Sequence, residues 1–357
     1  MPSADKKETI YIPQTLANWP WKRSVNPNYD EVSVKSAEWL RSFKICPPKV
    51  QLAFDRCNYG LLAGMAYPNH SSDHYRIGCN LMNLFFVIED GTDDESSAIV
   101  ADRMVRITDA LHNPSVSRPD GEWRGVEVAR QFWSYAKPLM RLSTATRFLD
   151  TFGAYLGSMV TEAADRETGS KSTQTPVYTF ESYIELRRKT VGAWPSYVLM
   201  ELAMHDLNED SVTQAVTSQD MHELAVVVTD MILIGNDLVS YNKERPSGAV
   251  HNLVSVVLSN PLMPDEWSTT PPSFINTVQD AIDWVAAYHD TLAEEFFCLY
   301  AKFTAEDASP AARRYAYGLG NWVRANDAWS FESFRYFGAR GLEVQKNRTV
   351  ELLPLGK

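Results

Sequence analysis

Three oxygen-bearing side chains recur four positions apart in the second half of the chain: Asn236, Ser240 and Glu244. At about 100° per residue, such positions fall on one face of an α-helix. Because helical side chains lean towards the helix N-terminus, the longer Glu244 can reach back towards Ser240. An amide, a hydroxyl and a carboxylate oxygen carry one negative charge and leave coordination positions open, which suits a Mg2+ ion that keeps waters and shares phosphate oxygens. A solvated helix face can show the same spacing, so the pattern alone leaves both interpretations open.

The residues before this set favour the metal interpretation. The runs 224–228 and 231–235 are apolar almost all round, which is typical of a buried helix. Polar side chains that follow on a buried helix need partners, and a metal–phosphate cluster is one way to supply them.

A second oxygen-rich segment lies far upstream, directly after an apolar run. It contains five acids in seven residues: Glu89, Asp90, Asp93, Asp94 and Glu95. Carboxylates at a helix C-terminus meet the negative end of the helix dipole and repel one another. A bound multivalent cation would relieve both effects, whereas acids that cap the next helix would need no metal. Both uses can hold at once, with Glu89 or Asp90 on the metal and the later acids capping.

Two basic segments offer groups that could bind an anion. Arg188 lies in a basic cluster that ends at a helix break, because Gly192 and Pro195 both disfavour continuation of the helix. Arg335 and Tyr336 lie in an aromatic stretch, and a guanidinium fork and a phenol are good phosphate donors. A basic helix C-terminus before a turn and an arginine stacked on rings are the structural alternatives.

The composition narrows the classes of partner and location. The chain has 357 residues, of which 45% are hydrophobic and 22% charged, and its net charge is −11. This negative charge disfavours nucleic acid or an anionic membrane as the main partner. The N-terminus has no apolar signal core and Asp230 interrupts the longest apolar run, so we expect a cytoplasmic protein without a membrane-spanning helix. The four cysteines lack CxxC spacing and are expected to be reduced.

Helices must position the chemical groups. Helical periodicity predicts ten or more helices, and no segment shows the sustained alternation of a strand. The predicted helices include 50–66, 180–192, 194–206, 217–244 and 330–337.

Two stretches rich in loop-forming residues, 165–178 and 260–274, are predicted as loops. No linker is visible that would split the chain. The sequence therefore predicts an all-α fold with an irregular N-terminal arm, one helical domain and a short tail, at residues 1–30, 31–345 and 346–357.

Together these segments resemble the class I terpene synthases of basidiomycete fungi, of the sesquiterpene kind. Asn236, Ser240 and Glu244, with Asp237, match every defining position of that family's second metal motif. Lys243 resembles a lysine that often also contacts diphosphate.

The arginine segments complete the resemblance. Arg188 matches the family's diphosphate-sensing arginine, with Val191 and Gly192 in its linker and effector positions. Arg335 and Tyr336 resemble the terminal Arg–Tyr pair that donates hydrogen bonds to diphosphate.

The first metal motif departs from the family's pattern. Relatives usually place Asp first, whereas this chain has Glu89-Asp90-x-x-Asp93. The longer Glu89 could still bind, with its carboxylate displaced by about a bond length, or Asp90 could take its place. The resemblance predicts metal ligands among Glu89, Asp90 and Asp93 and leaves the principal ligand open.

The resemblance implies a helical bundle around a central active-site cavity that ionises an allylic prenyl diphosphate. Three Mg2+ ions and the donors Arg188, Lys243 and Arg335 would neutralise the leaving diphosphate. Farnesyl diphosphate is the expected substrate and a sesquiterpene or terpene alcohol the expected product. Because aromatic faces stabilise cations, the candidate pocket walls are Phe85, Phe86, Trp194, Trp322 and Trp329.

Two alternatives stay open at this point. The chain could use geranyl diphosphate, as a monoterpene or linalool–nerolidol-type synthase, or it could be a non-catalytic helical scaffold that binds protein partners. The oligomeric state is also open, a homodimer included.

Overall fold

Helices make up most of the part of the chain that the computed structural model describes, residues 8–171, 178–259 and 275–356. In chain order they are α1 (Tyr29–Ser42), α2 (Pro48–Arg56), α3 (Tyr59–Ala66), α4 (Ser72–Asp90), α5 (Ser97–His112), α6 (Gly125–Ala136), α7 (Leu142–Lys171), α8 (Phe180–Thr190), α9 (Ala193–Val198), α10 (Glu209–Val216), α11 (Gln219–Glu244), α12 (Leu253–Ser259), α13 (Val278–Thr304), α14 (Pro310–Glu332) and α15 (Gly341–Asn347). The predicted all-α fold is confirmed.

Helix α11 is the core helix of the bundle. It begins where the Ser218 hydroxyl accepts a hydrogen bond from the backbone N–H of Met221, and it packs against α8, α12, α13 and α14. Among the described residues, Gln219–Ser247 is long and apolar enough to cross a membrane by length and composition, but 83% of its apolar window is buried inside the fold. Its apolar surface therefore faces other helices.

Two short strands correct the expectation that the chain has none. Strand β1 (Thr9–Tyr11) pairs antiparallel with β2 (Thr349–Glu351), with Ile10 opposite Val350. Three residues per strand give too short an alternation to recognise in the sequence. The pairing joins the N-terminal arm to the C-terminal tail, and the division of the chain at residues 30 and 345 stays a prediction.

Several predicted helix boundaries are wrong. Residues 50–66 form two helices, α2 and α3, because Asn58 takes a left-handed conformation with φ of 50° and its side chain caps α3. The segment 330–337 is not one helix: α14 ends at Glu332, and the backbone N–H of Phe334 binds the carbonyl of Arg56 instead.

One of the two predicted loops is partly helical in the structure. Helix α7 continues to Lys171, so the first part of the predicted loop 165–178 is helical. Residues 172–177 and the predicted loop 260–274 lie outside the described residues.

The N-terminal arm is anchored by two tryptophans. The rings of Trp19 and Trp21 stack with centroids 5.0 Å apart. Their indole N–H groups donate to the carbonyls of Gly320 and Tyr317 on α14, each at 2.9 Å. A Cβ atom at Gly320 would lie 2.4 Å from the Trp21 ring, so the arm fits against α14 only because residue 320 has no side chain.

We predict that Gly320→Ala lowers the free energy of unfolding by about 1–3 kcal/mol, because the added methyl group overpacks the contact with Trp21. Urea denaturation followed by tryptophan fluorescence measures this change. Gly157→Ala on α7 is the matched control, since nothing lies within 4 Å of its added Cβ. The control should be neutral or up to about 1 kcal/mol more stable, and equal destabilisation of both variants would contradict the prediction.

Candidate active site

The predicted oxygen set on α11 consists of Asn236, Ser240 and Glu244. Neighbouring side chains hold it in place. Ser240 is 1% exposed, and Asn236 is half-buried. The side-chain amide of Asn236 donates to the Tyr336 hydroxyl at 2.6 Å. Ser240 and Glu244 both lie next to Asn252, whose Nδ2 is 3.2 Å from Ser240 Oγ and 3.1 Å from Glu244 Oε2.

The Arg335–Tyr336 dipeptide connects this set to the first acidic motif. A guanidinium nitrogen of Arg335 donates to Glu89 Oε1 at 2.7 Å, and another lies 3.6 Å from Asp90 Oδ1. The next residue, Tyr336, contacts Asn236 on α11. Two consecutive residues thus bridge segments that are more than a hundred residues apart in the chain, and the two predicted metal motifs lie on opposite sides of one site.

Burial, and after it the neighbouring charges, shift the pKa values of these groups. Burial would lower the pKa of Arg335, but the Glu89 carboxylate and its neighbours raise it above the usual range. Burial and then Arg335 lower the pKa of Lys243. Burial raises the pKa of Glu244, and the nearby Asp237 adds to the rise. The carboxylates therefore need positive charge to remain ionised together.

Asp93 shows the same effect at the edge of the site. Its side chain is exposed at the surface, yet partial desolvation by the surrounding protein, with Glu89 and Glu162 close by, raises its pKa to about 7. Arg166 opposes the rise but is already bound to Glu162 and to the carbonyl of Thr92. A cation bound next to Asp93 would therefore lower the pKa of this carboxyl group and favour its ionised form.

Sequence reasoning missed the role of Asp237. This residue is 1% exposed and accepts hydrogen bonds from Arg187 at 3.2 Å, from the Tyr183 hydroxyl at 2.5 Å and from the backbone N–H of Leu253 at 2.9 Å. Arg187 also donates to Asn236 Oδ1 at 3.2 Å. Asp237 therefore joins α8 and α12 to α11 directly behind the oxygen set.

The structure brings Arg187, and not the predicted Arg188, to the second motif. Arg188 forms a bidentate pair with Asp230 at 2.7 and 2.6 Å. Asp230 and Asp237 are seven residues apart and so share one face of α11, and the two arginines attach α8 along that face. As a donor to diphosphate, Arg188 stays a prediction, and in this structure its guanidinium is engaged elsewhere.

The helix break after α8 is confirmed. Helix α8 ends at Thr190 with Val191 as its C-cap, and Gly192 adopts φ of 72° before α9 begins. A Cβ atom at Gly192 would lie 3.3 Å from the Phe85 ring. The carbonyl of Gly192 accepts a bond from the Ser196 hydroxyl at 2.8 Å, so this oxygen is already paired.

The predicted aromatic residues divide into separate groups. Phe86 stacks on Tyr59 with centroids 3.8 Å apart, lies 5.8 Å from Trp329 and has the Arg335 guanidinium 4.9 Å from its ring. Trp322 packs against Tyr67 and Tyr197, and Trp194 stacks on His222. Phe86 and Trp329 thus adjoin the Arg–Tyr pair, Phe85 adjoins the break at Gly192, and the role of each as a pocket wall stays a prediction.

The donor set fits a hard divalent cation. Every predicted ligand presents oxygen, from the first motif (Glu89, Asp90 and Asp93) and from the second (Asn236, Ser240 and Glu244). Within residues 8–171, 178–259 and 275–356, no group of three or more His, Cys, Asp and Glu side chains is placed to hold a metal ion by itself, so any cation here must also use the amide and hydroxyl oxygens of Asn236 and Ser240 or oxygens from substrate and water. Such an open oxygen set suits a cation that completes its coordination with waters and substrate phosphates.

The chain is similar to known proteins over most of its length. Residues 80–295 match the model of terpene synthase family 2, C-terminal metal binding. The chain belongs to this terpene synthase family. It is 40% identical over 356 residues to Delta(6)-protoilludene synthase 18 of Postia placenta, covering 99% of this chain and 95% of that protein. A Delta(6)-protoilludene synthase of Stereum hirsutum is 42% identical over 356 residues, 99% of this chain and 94% of that one.

A solved structure shows the same fold. The crystal structure of germacradien-4-ol synthase from Streptomyces citricolor superposes with a TM-score of 0.69 at 18% identity, covering 87% of this chain and 98% of that chain. The family match and the 40% identical relatives, and not this likeness of fold, show that the chain is a class I terpene synthase, a metal-dependent lyase, and they overturn the scaffold alternative. The roles of its individual site residues stay predictions.

We predict that Arg187→Leu lowers the free energy of unfolding by about 3–5 kcal/mol, because it leaves the buried Asp237 carboxylate without its ionic partner. Chemical denaturation measures the loss. The control is Arg314→Leu, whose pair with Asp206 is about half exposed and should contribute only about 0–1 kcal/mol. Similar losses in the two variants would show that the buried Arg187–Asp237 pair contributes no more to the free energy of unfolding than the exposed Arg314–Asp206 pair.

We also predict a pH dependence of the metal-free protein. The Asp93 carboxyl has a pKa of 3.8 when unperturbed and about 7 in the fold, so the native state binds more protons between these values. The contribution of Asp93 to the free energy of unfolding therefore falls as pH rises through this window. Melting temperatures in chelator should decline less steeply with pH in Asp93→Asn than in the wild type, and parallel curves would rule out the assignment.

Proposed function

We propose that this synthase is Mg2+-dependent and converts farnesyl diphosphate into a cyclic sesquiterpene with release of diphosphate. The observation that carries the proposal is the Arg335–Tyr336 bridge. It brings two oxygen-rich motifs and the positively charged Arg335 guanidinium together at one site. The choice of a fifteen-carbon substrate is supported by the relatives' names, which include Delta(6)-protoilludene synthases and Sesquiterpene synthase 14 of Postia placenta, 37% identical over 98% of this chain.

Cationic side chains would bind the diphosphate as the carbon–oxygen bond breaks. Arg335 and Lys243 adjoin the acidic motif, and Arg335 must exchange its bond to Glu89 for one to a phosphate oxygen. Tyr336 offers its hydroxyl beside Asn236. Arg188 is proposed as a further donor, which requires that it leave Asp230. Preorganised positive charge lowers the barrier most where it faces the charge that develops on the leaving group.

Divalent cations held by the two oxygen sets would neutralise the diphosphate and make it a better leaving group. We propose three Mg2+ ions, with ligands from Glu89, Asp90 and Asp93 on α4 and its following turn, and from Asn236, Ser240 and Glu244 on α11. Arg335 contacts both Glu89, at 2.7 Å, and Asp90, at 3.6 Å, so the choice of principal ligand between these two acids stays open.

The allylic carbocation must then be shielded from water. Phe85, Phe86, Trp194, Trp322 and Trp329 are the proposed aromatic walls, since ring faces stabilise a passing cation. Phe86 and Trp329 are the strongest candidates because their rings lie beside the diphosphate-binding pair. We further propose a cytoplasmic location, and a homodimer stays open.

Incubation of the purified protein with farnesyl diphosphate and Mg2+ tests the proposal. We expect release of inorganic diphosphate and a cyclic fifteen-carbon product by gas chromatography–mass spectrometry, both lost in chelator. Parallel reactions with geranyl and geranylgeranyl diphosphate test chain length. Faster turnover of geranyl diphosphate would overturn the sesquiterpene assignment, and no release with any substrate would overturn the Mg2+-dependent reaction.

We predict that Glu244→Gln and Asn236→Leu each reduce turnover by more than about a hundredfold, because each removes an oxygen from the proposed metal site. Circular dichroism should show unchanged helical content. Glu31→Gln, at an exposed acid on α1, is the matched control and should keep full activity. Retained activity in both motif variants would refute the metal assignment.

A further inference from the structure

A single buried amide holds three parts of the second motif. Asn252 is fully buried and immediately precedes α12. Its Nδ2 atom lies 2.9 Å from the carbonyl oxygen of Asp237, 3.2 Å from Ser240 Oγ and 3.1 Å from Glu244 Oε2. We propose that Asn252 is a positioning residue that holds Ser240 and Glu244 in the orientation in which they bind metal. The proposal rests on the proposed function of this site.

The orientation of the amide is fixed by its other end. Asn252 Oδ1 accepts a hydrogen bond from the backbone N–H of Val254 at 3.0 Å. Because only the oxygen of the amide can accept that bond, the NH2 group must face α11. The neighbouring Leu253 N–H binds Asp237 Oδ2 at 2.9 Å, so two consecutive residues attach this turn to α11.

The contact has a direct consequence for the oxygen set. An NH2 group can only donate, and its two N–H bonds are shared among three acceptors: the Asp237 carbonyl, Ser240 Oγ and one carboxylate oxygen of Glu244. Ser240 also forms a hydrogen bond to Glu244, so the amide and the two motif side chains hold one another, and each oxygen keeps a further lone pair that can bind a cation. A long glutamate side chain would otherwise sample several rotamers, and binding would carry the entropic cost of fixing it.

The spacing of residues in the sequence does not indicate the contact of Asn252 with Ser240 and Glu244. Asn252 follows Glu244 by eight residues, and the chain between them reverses direction at Gly248 and Ala249, both with positive φ. The reversal places the start of α12 beside the last two turns of α11. Partners that orient metal ligands typically change metal affinity or activity by about 10–100-fold when removed.

The test measures cation binding separately from catalysis. Inorganic diphosphate is titrated by calorimetry into the wild type, Asn252→Ala and Asn252→Asp at a series of Mg2+ concentrations. Asn252→Asp keeps the size of the side chain but removes the NH2 donor. We expect both variants to need about 10–100-fold more Mg2+ for half-maximal diphosphate binding, and turnover of farnesyl diphosphate to recover partly at high Mg2+.

A matched control separates positioning from general destabilisation. Asn321 is also buried, and its amide donates to the carbonyls of Met65 and Ala66, away from the oxygen set. Asn321→Ala should lower the melting temperature without moving the Mg2+ midpoint. An unchanged midpoint in both Asn252 variants, an equal shift in Asn321→Ala, or failure of both Asn252 variants to fold would each overturn the positioning role.

The wild type distinguishes this failure from failure of the proposed function. If the wild type binds diphosphate only with Mg2+ and the variants match it, the positioning role alone is wrong. If the wild type shows no Mg2+-dependent binding of diphosphate, the proposed function fails and the positioning role fails with it.

Discussion

The buried carboxylate of Asp237 is the constraint on which the site depends. A charge removed from water must be paired and hydrogen-bonded, and here the partners come from two elements: Arg187 and Tyr183 on α8, and the backbone at the start of α12. These contacts fix the rotation of α11, since a turn of about 100° would move Asp237 out of their reach. With this rotation, the neighbouring face of α11, which carries the oxygen set, points into the site.

The Arg335–Tyr336 pair provides the second constraint. Arg335 pairs with the acids of the first motif, and the Tyr336 hydroxyl accepts a hydrogen bond from the Asn236 amide of the second. The same groups are the proposed donors to diphosphate, so substrate and cations must replace contacts that already exist. This exchange favours binding of cation and diphosphate together, because either alone would leave a buried charge unpaired.

The wider structure supports this small region from outside. The backbone N–H of Leu353 binds the Asn242 side chain at 2.8 Å, and the tail beyond β2 runs along the C-terminal end of α11. The tail is paired with the N-terminal arm, which is anchored on α14 by Trp19 and Trp21. Both ends of the chain therefore stabilise the helix that carries the second motif, and relatives align with this chain over nearly its whole length.

Local periodicity determined what the sequence could reveal by itself: the helical class, the face shared by Asn236, Ser240 and Glu244, and the break at Gly192. These features depend on residues a few positions apart, whose relation is set by helix geometry. Tertiary structure decided which arginine meets the motif, because adjacent residues such as Arg187 and Arg188 point about 100° apart and only packing selects one of them. It also decided that Asn252 contacts Ser240 and Glu244 and that the two chain ends pair, since both contacts require chain reversals whose direction no local spacing encodes.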